Sequence, residues 1–198
     1  MTAILKVDTI QDTSGNNIIN ESSDTITIGA SGDTITLAGT TVTGITQGIT
    51  EADQFRLTTD LVNSNADITA NLERVDDASF SKIGTGMTNS SGIFSFPSTG
   101  LYQVIVNSNA YTSSQSNLYV FTNVTTNNSS YDYVARAGLN SDNNYENSAT
   151  SVALINVTNT SNVKVKFTTS SFVSGSGLQG DTDRNETAFT FIRLGDSQ

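Results

Sequence analysis

Gly92-Ile93-Phe94-Ser95-Phe96-Pro97-Ser98-Thr99-Gly100-Leu101-Tyr102 is the stretch on which the fold turns. Gly92 to Phe96 reads as a short strand carrying the aromatics Phe94 and Phe96. Pro97, the single proline of the chain, stops it by withholding a backbone donor. Ser98-Thr99-Gly100 is a turn. Beyond it a second, longer strand opens, with Tyr102, Val104 and Val106 on one face and Leu101 and Ile105 on the other. Apolar residues on both faces suit a strand buried between two layers or facing a neighbouring subunit.

The pattern continues on both sides. Strands are expected at 54–59, 68–75, 79–84, 92–97, 101–111, 117–125, 130–138, 148–157, 161–172 and 186–194, separated by Gly, Asn and Ser clusters. Val163, Val165 and Phe167 share a face opposite Lys164, Lys166 and Thr168, and Phe189 and Phe191 share another. Thr50 has the chemistry of a helix N-cap, but Phe55, Leu57 and Thr59 alternate, which favours an extended chain. Many short strands at this spacing define an all-β sandwich or barrel over residues 51–198.

Residues 1–50 differ from the rest. No aromatic residue precedes Phe55. Leu5 to Ile10 and Ile18 to Asn20 read as short strands around the turn cluster Asp12-Thr13-Ser14-Gly15-Asn16-Asn17. A near-duplication follows: Asp24-Thr25-Ile26-Thr27-Ile28-Gly29, then Asp33-Thr34-Ile35-Thr36-Leu37-Ala38-Gly39. Neither copy buries its apolar edge alone, and repeated β units of this kind hide it by stacking on neighbours. If three chains align, Ile26, Ile28, Ile35 and Leu37 of each meet on a common axis in a narrow threefold shaft.

Composition narrows the function. Ser, Thr and Asn make up roughly two-fifths of the 198 residues, above the usual share. Charged residues are 14% and the net charge is −10. The nine Lys and Arg form no basic run, which argues against nucleic-acid binding. Cys and His are absent, so disulfides, thiolate nucleophiles and imidazole chemistry are excluded. No stretch is apolar for the roughly 18 residues of a membrane helix, and Met1 to Asp8 lacks the features of a secretory signal. The chain is expected to be made and used without Sec export.

Chemistry has few carriers. Asp76-Asp77, after Glu73, is the densest acidic site and the one pair a carbohydrate-degrading enzyme would draw on; a solvated turn is the simpler reading. Asp181-Thr182-Asp183-Arg184-Asn185 has Asp-X-Asp spacing but no downstream Glu at calcium-loop distance, and reads as a polar loop. Gly175-Ser176-Gly177-Leu178-Gln179-Gly180 matches Gly-X-Gly-X-X-Gly without opening a helix, and is expected to lie between strands. No catalytic residue, cofactor or metal is expected. Tyr131, Tyr133 and Tyr145 lie among Asn and Ser, a composition of adaptable recognition loops. They either meet a ligand there, or cap the sandwich or line a subunit interface.

Two resemblances sharpen these expectations. Gly92 to Tyr102, with Gly100 and Tyr102 as its Gly-X-Tyr, resembles a signature of the tumour-necrosis-factor and complement-head jelly rolls. Ala188-Phe189-Thr190-Phe191-Ile192-Arg193-Leu194-Gly195 resembles the final strand of that family. The resemblance implies a jelly-roll head that trimerises about a threefold axis. Leu5 to Asn16, followed by the Asp-Thr-Ile-Thr repeats, resembles the opening of fibre-type structural proteins of marine bacteriophages. That likeness implies a virion component: residues 1–20 held by other virion proteins, 21–50 a repeat shaft and linker, and 51–198 a head for a host-surface glycan or protein. Many such fibres carry far longer shafts. A capsid-decoration or collar protein without a receptor role, and a carbohydrate-degrading spike, are the alternatives.

Overall fold

The computed structural model describes residues 9–11, 13–14, 17–22, 25–28, 32, 34, 48–114, 116–141 and 146–198. The chain divides into two compact units, Met1–Thr46 and Gln47–Gln198. Every strand pairing is antiparallel, and the described residues contain no helix.

In the first unit β1 (Thr9–Gln11), β2 (Asn17–Ser22) and β3 (Thr25–Ile28) form a meander in that order. The register sets Ile10 opposite Ile19 and Ile19 opposite Ile28. Because side chains alternate along a strand, these three form one row across the sheet, and Ile26 stands two residues from it on the same face. All four are exposed. β3 is the first copy of the repeat. The second copy lies outside the described residues apart from Thr34, and so do Ile35 and Leu37.

The second unit is a sandwich of two sheets. Its strands are β4 (Ala52–Leu57), β5 (Leu61–Val62), β6 (Leu72–Arg74), β7 (Thr88–Ser90), β8 (Ile93–Ser95), β9 (Gly100–Thr112), β10 (Ser116–Thr125), β11 (Asp132–Ser141), β12 (Glu146–Val157), β13 (Lys164–Ser170), β14 (Ser176–Leu178) and β15 (Ala188–Gly195). One sheet runs β11-β10-β13-β8-β7. The other runs β5-β14-β9-β15-β4-β6, with β12 paired along the far side of β9. The chain lays β4–β6 in the larger sheet and β7–β8 in the smaller, then returns with β9. It lays β10–β11 in the smaller, crosses with β12 and back with β13, and ends with β14–β15 in the larger, a sandwich with jelly-roll crossings.

β9 shows how the sequence builds this. Gly100, Tyr102, Val104, Val106, Ser108, Ala110 and Thr112 are all buried, while the intervening residues are half-buried or exposed. Facing it, β13 turns Val165 and Phe167 inward and Lys164, Lys166 and Thr168 outward, as the alternation requires. Phe55, Phe94, Phe167, Phe189 and Phe191 meet between the sheets, with neighbouring centroids 4.2–6.5 Å apart. The hairpin β7–β8 turns at Ser91 and Gly92, both left-handed (φ 50° and 80°), the geometry of a type I′ turn. Gly92 also packs against the Ile68 carbonyl where no Cβ fits. Tyr102, buried, anchors the start of the long strand through its hydroxyl, 2.9 Å from Ser98 Oγ.

The structure corrects three local expectations. Residues 79–84 are not a strand. Gly84 and Gly86 adopt positive φ (73° and 78°), and only Ile83 bridges, exchanging both backbone bonds with Ala52. The expected strand 68–75 shrinks to β6, because Asn71 takes φ 57° and breaks the extended run. Ser176–Leu178, placed between strands by its Gly pattern, is itself β14, paired on one side with β9 and on the other with β5.

Candidate functional site

The acidic pair Asp76-Asp77 holds a buried cation. Arg56 alternates away from Phe55 and Leu57, out of the sandwich core, yet is only 1% exposed. Its guanidinium donates to Glu73 (2.7 Å), Asp76 (2.6 Å) and Asp77 (2.7 Å). Burial pushes the guanidinium pKa down, but the hydrogen bonds and charges of Glu73 and Asp77 outweigh it and leave it above the ordinary value. The two carboxylates stay in solvent, 76% and 40% exposed, in a loop that runs into a turn, as the sequence suggested, and they also neutralise Arg56. The neighbouring Asp53, 3% exposed, takes Arg74 at 2.9 Å and the Met87 N–H at 2.7 Å.

The Asp181–Asn185 segment is a polar loop whose carboxylate is spent internally. Asp181 accepts from the Asp183 N–H and from Arg184, both at 2.7 Å. Among the described residues no cluster of three or more carboxylates has the arrangement of a metal site.

The outward face of the five-stranded sheet carries an aromatic ladder. On β10, Leu118 and Val120 turn inward, so Tyr119 and Phe121 project outward. Their centroids are 6.0 Å apart. Tyr133, 70% exposed, lies 4.7 Å beyond Phe121, brought onto this face by a β-bulge at Thr122/Asn123. At the other end the Arg136 guanidinium sits 4.6 Å over the Tyr119 ring. Gly138, opposite Tyr119 in the register, lies beneath that ring: a Cβ there would be 3.6 Å from it. Asn123, buried on the same side, donates to Thr168 Oγ1 at 2.9 Å. Lys166 ties the face to the 63–68 loop, at 2.7 Å from Asp67 and 4.4 Å over the Tyr131 ring. Of the three tyrosines singled out in the sequence, Tyr131 and Tyr133 therefore border one surface, and Tyr145 lies outside the described residues. Tyr119, Phe121 and Arg136 were missed. The signal was an aromatic pair at alternate positions of a strand, with cations beside it.

The outward face of the seven-stranded sheet carries exposed apolar side chains among polar ones. Leu154, Gln103 and Ile192 form one row across β12, β9 and β15, and Val152, Ile105 and Thr190 the next. Leu154 is 62% and Val152 49% exposed. Alongside lies a recess of about 170 Å³ bounded by Gln54, Phe80, Ile83, Thr190 and Ile192.

No protein-family model and no curated protein sequence matches the chain. Solved structures do match in shape. Murine APRIL superposes on 73% of this chain and 98% of its own, with a TM-score of 0.55 and 10% identity. Eiger TNF from S. frugiperda superposes on 74% of this chain and 94% of its own, with a TM-score of 0.55 and 14% identity. The globular domain of zebrafish complement 1qA protein gives a TM-score of 0.49 at 12% identity. At these identities the likeness concerns the fold alone. The fold is a jelly roll similar to the tumour-necrosis-factor heads.

Proposed function

We propose that this chain is a non-enzymatic virion structural protein that assembles as a short homotrimeric fibre or spike. Residues 1–20 dock on other virion proteins, residues 21–50 intertwine as a β shaft, and residues 51–198 are a head that binds the host surface. The observation that carries the self-association is the bare outer face of the seven-stranded sheet, where Val152, Leu154 and Leu194 stand in solvent beside Ile105 and Ile192. Exposed apolar side chains gathered on one sheet face, here interrupted by Gln103 and Thr190, mark a surface suited to a subunit contact. The row Ile10–Ile19–Ile28 supports the same reading for the first unit, which has no aromatic residue with which to build a core of its own. The virion assignment is supported by the fibre-like opening Leu5 to Asn16 and the Asp-Thr-Ile-Thr duplication.

Sedimentation of the full chain at micromolar concentration tests the assembly: a trimer is expected, and a well-ordered monomer overturns it. Cryo-electron microscopy of the particle, labelled at the C-terminus, tests the location. Density at the tail is expected. Label on the capsid shell, with adsorption intact after deletion, would mark a decoration protein instead.

A further inference from the structure

We infer that the outer face of β13–β10–β11 is a binding platform for an anionic polysaccharide, in which Phe121 and Tyr133 stack on sugar rings and Arg136, seated over Tyr119, meets the acid groups, with Lys164 further along the same face of β13. The inference deepens the proposed head function by assigning its binding face and ligand class, and it rests on that reading.

Three observations converge. A free sheet face normally carries polar residues, but here three aromatic rings run in sequence at 6.0 and 4.7 Å between centroids. Flat, exposed π faces bind the C–H surfaces of sugars and lose little entropy, because an aromatic side chain has only two rotatable bonds. The platform is also held in place before any ligand arrives. Gly138 gives Tyr119 a flat seat, the bulge positions Tyr133, and the Asn123–Thr168 bond ties β10 to β13 beneath the rings.

The third observation is charge. The chain carries −10 overall, and most of its cations are spent on carboxylates: Arg56, Arg74, Lys166, Arg184 and Arg193 all form ion pairs. Arg136 and Lys164 form none among the described residues. Arg136 is exposed and held by its stack on Tyr119, so its N–H donors stay open to an incoming carboxylate or sulfate. Asp67 neutralises Lys166, and alternation turns Asp132 away from the side on which Tyr133 projects. An acidic protein that leaves unpaired cations beside an aromatic ladder matches a ligand with rings and negative charge. This face is also distinct from the outer face of the seven-stranded sheet assigned to self-association, so the two are tested separately.

The test is affinity electrophoresis and calorimetry of the full chain with sodium alginate, dextran sulfate and neutral dextran as probes, with the assembly state measured on the same samples. Alginate, dextran sulfate or both are expected to bind, with dextran much weaker, and the contrast between the two acidic probes assigns a carboxylate or a sulfate. Tyr133→Ala and Arg136→Gln are each expected to weaken binding by about tenfold or more, on the scale of one stacking or charge-assisted contact. Arg136→Gln should also flatten the salt dependence. Arg184→Gln, which removes an equal charge from an exposed loop, should leave affinity unchanged. Binding to none of the probes, equal binding to dextran, or full affinity in both platform variants would overturn the inference while leaving the assembly reading intact. Dissociation of the assembly by Tyr133→Ala would also overturn it, by making this face a subunit contact.

Discussion

The rings of Phe167 and Phe189 stack at 4.2 Å with 24° between their planes. Phe167 comes from β13 in one sheet and Phe189 from β15 in the other, so a single contact closes the sandwich at its centre. Both are fully buried, and Phe94 packs against them edge-on or tilted. The sheets are bound chiefly by these apolar contacts, since the chain has no cysteine for a covalent staple.

Phe167→Ala is therefore expected to cost about 3–5 kcal/mol, the range for aromatic truncation in a close-packed core. Urea unfolding measures it. Tyr133→Ala, on the exposed face, should change stability by no more than about 0.5 kcal/mol. Equal losses from the two would refute the assignment of Phe167 to the centre of the core.

Arg56 gives a second expectation. Arg56→Leu removes the one cation that Glu73, Asp76 and Asp77 share, leaving three carboxylates crowded together. The carboxylates left behind are 32%, 76% and 40% exposed, so water takes up much of their charge, and the loss is expected to be about 1.5–3 kcal/mol, the range of a hydrogen bond to a charged group. Adding Asp76→Asn and Asp77→Asn to Arg56→Leu should restore part of that loss, because it removes the repulsion. A double-mutant cycle reads the coupling directly. Independence of the two sets would show that the cluster is not one unit.

Ser151 predicts the opposite sign. It lies on β12 facing the core, 7% exposed, and its hydroxyl finds no partner among the described residues. Ser151→Ala removes an unsatisfied polar group while leaving little void. The variant should be as stable as the parent or more stable by about 1 kcal/mol. A marked loss in thermal unfolding would mean the hydroxyl is bonded.

The long strands were readable because a core face imposes a period of two over many residues. Tyr102, Val104 and Val106, then Val163, Val165 and Phe167, are such runs, and the structure buries them as the pattern requires. β5, β7 and β14 have two or three residues each, too few for a period to emerge. The stretch 79–84 holds the apolar Phe80 and Ile83, but the left-handed Gly84 and Gly86 that follow end any extended run. The aromatic ladder was hidden for a different reason. In Leu118-Tyr119-Val120-Phe121 both faces are apolar, so the sequence does not say which is inside. Pairing with Gly138 and Thr168 does. Arg56, between Phe55 and Leu57, gives no sign of being buried until its three carboxylates are placed around it.

The Asp67–Lys166 pair carries a pH dependence whose sign is fixed. Partial burial pushes the Asp67 carboxyl up, but the hydrogen bonds from Lys166 and Thr168 and the lysine's charge outweigh it and hold it below the ordinary value. A depressed folded pKa contributes stability that is complete above the unfolded value, roughly 3.9, and lost as pH falls through the folded one. Thermal unfolding of the parent and of Asp67→Asn between pH 2 and 8 should show a constant gap above about pH 5 that closes in acid. A gap that widened below pH 4 would reverse the sign and refute the pairing.

Leu154 bears on the assembly itself. On the edge strand β12 it is the most exposed apolar side chain of the seven-stranded sheet, and its row runs through Gln103 to Ile192 beside the 170 Å³ recess. In a free monomer Leu154→Asp costs almost nothing, because the side chain already stands in water. In a trimer packed through this face, three aspartates would be buried unpaired, a penalty of several kcal/mol each. Light scattering coupled to size exclusion should therefore show Leu154→Asp shifting from trimer to monomer while far-ultraviolet circular dichroism keeps its β signature. Thr158→Asp, in the exposed loop after the same strand, is the control and should remain assembled. A Leu154→Asp trimer as stable as the parent would place the subunit contact on another surface.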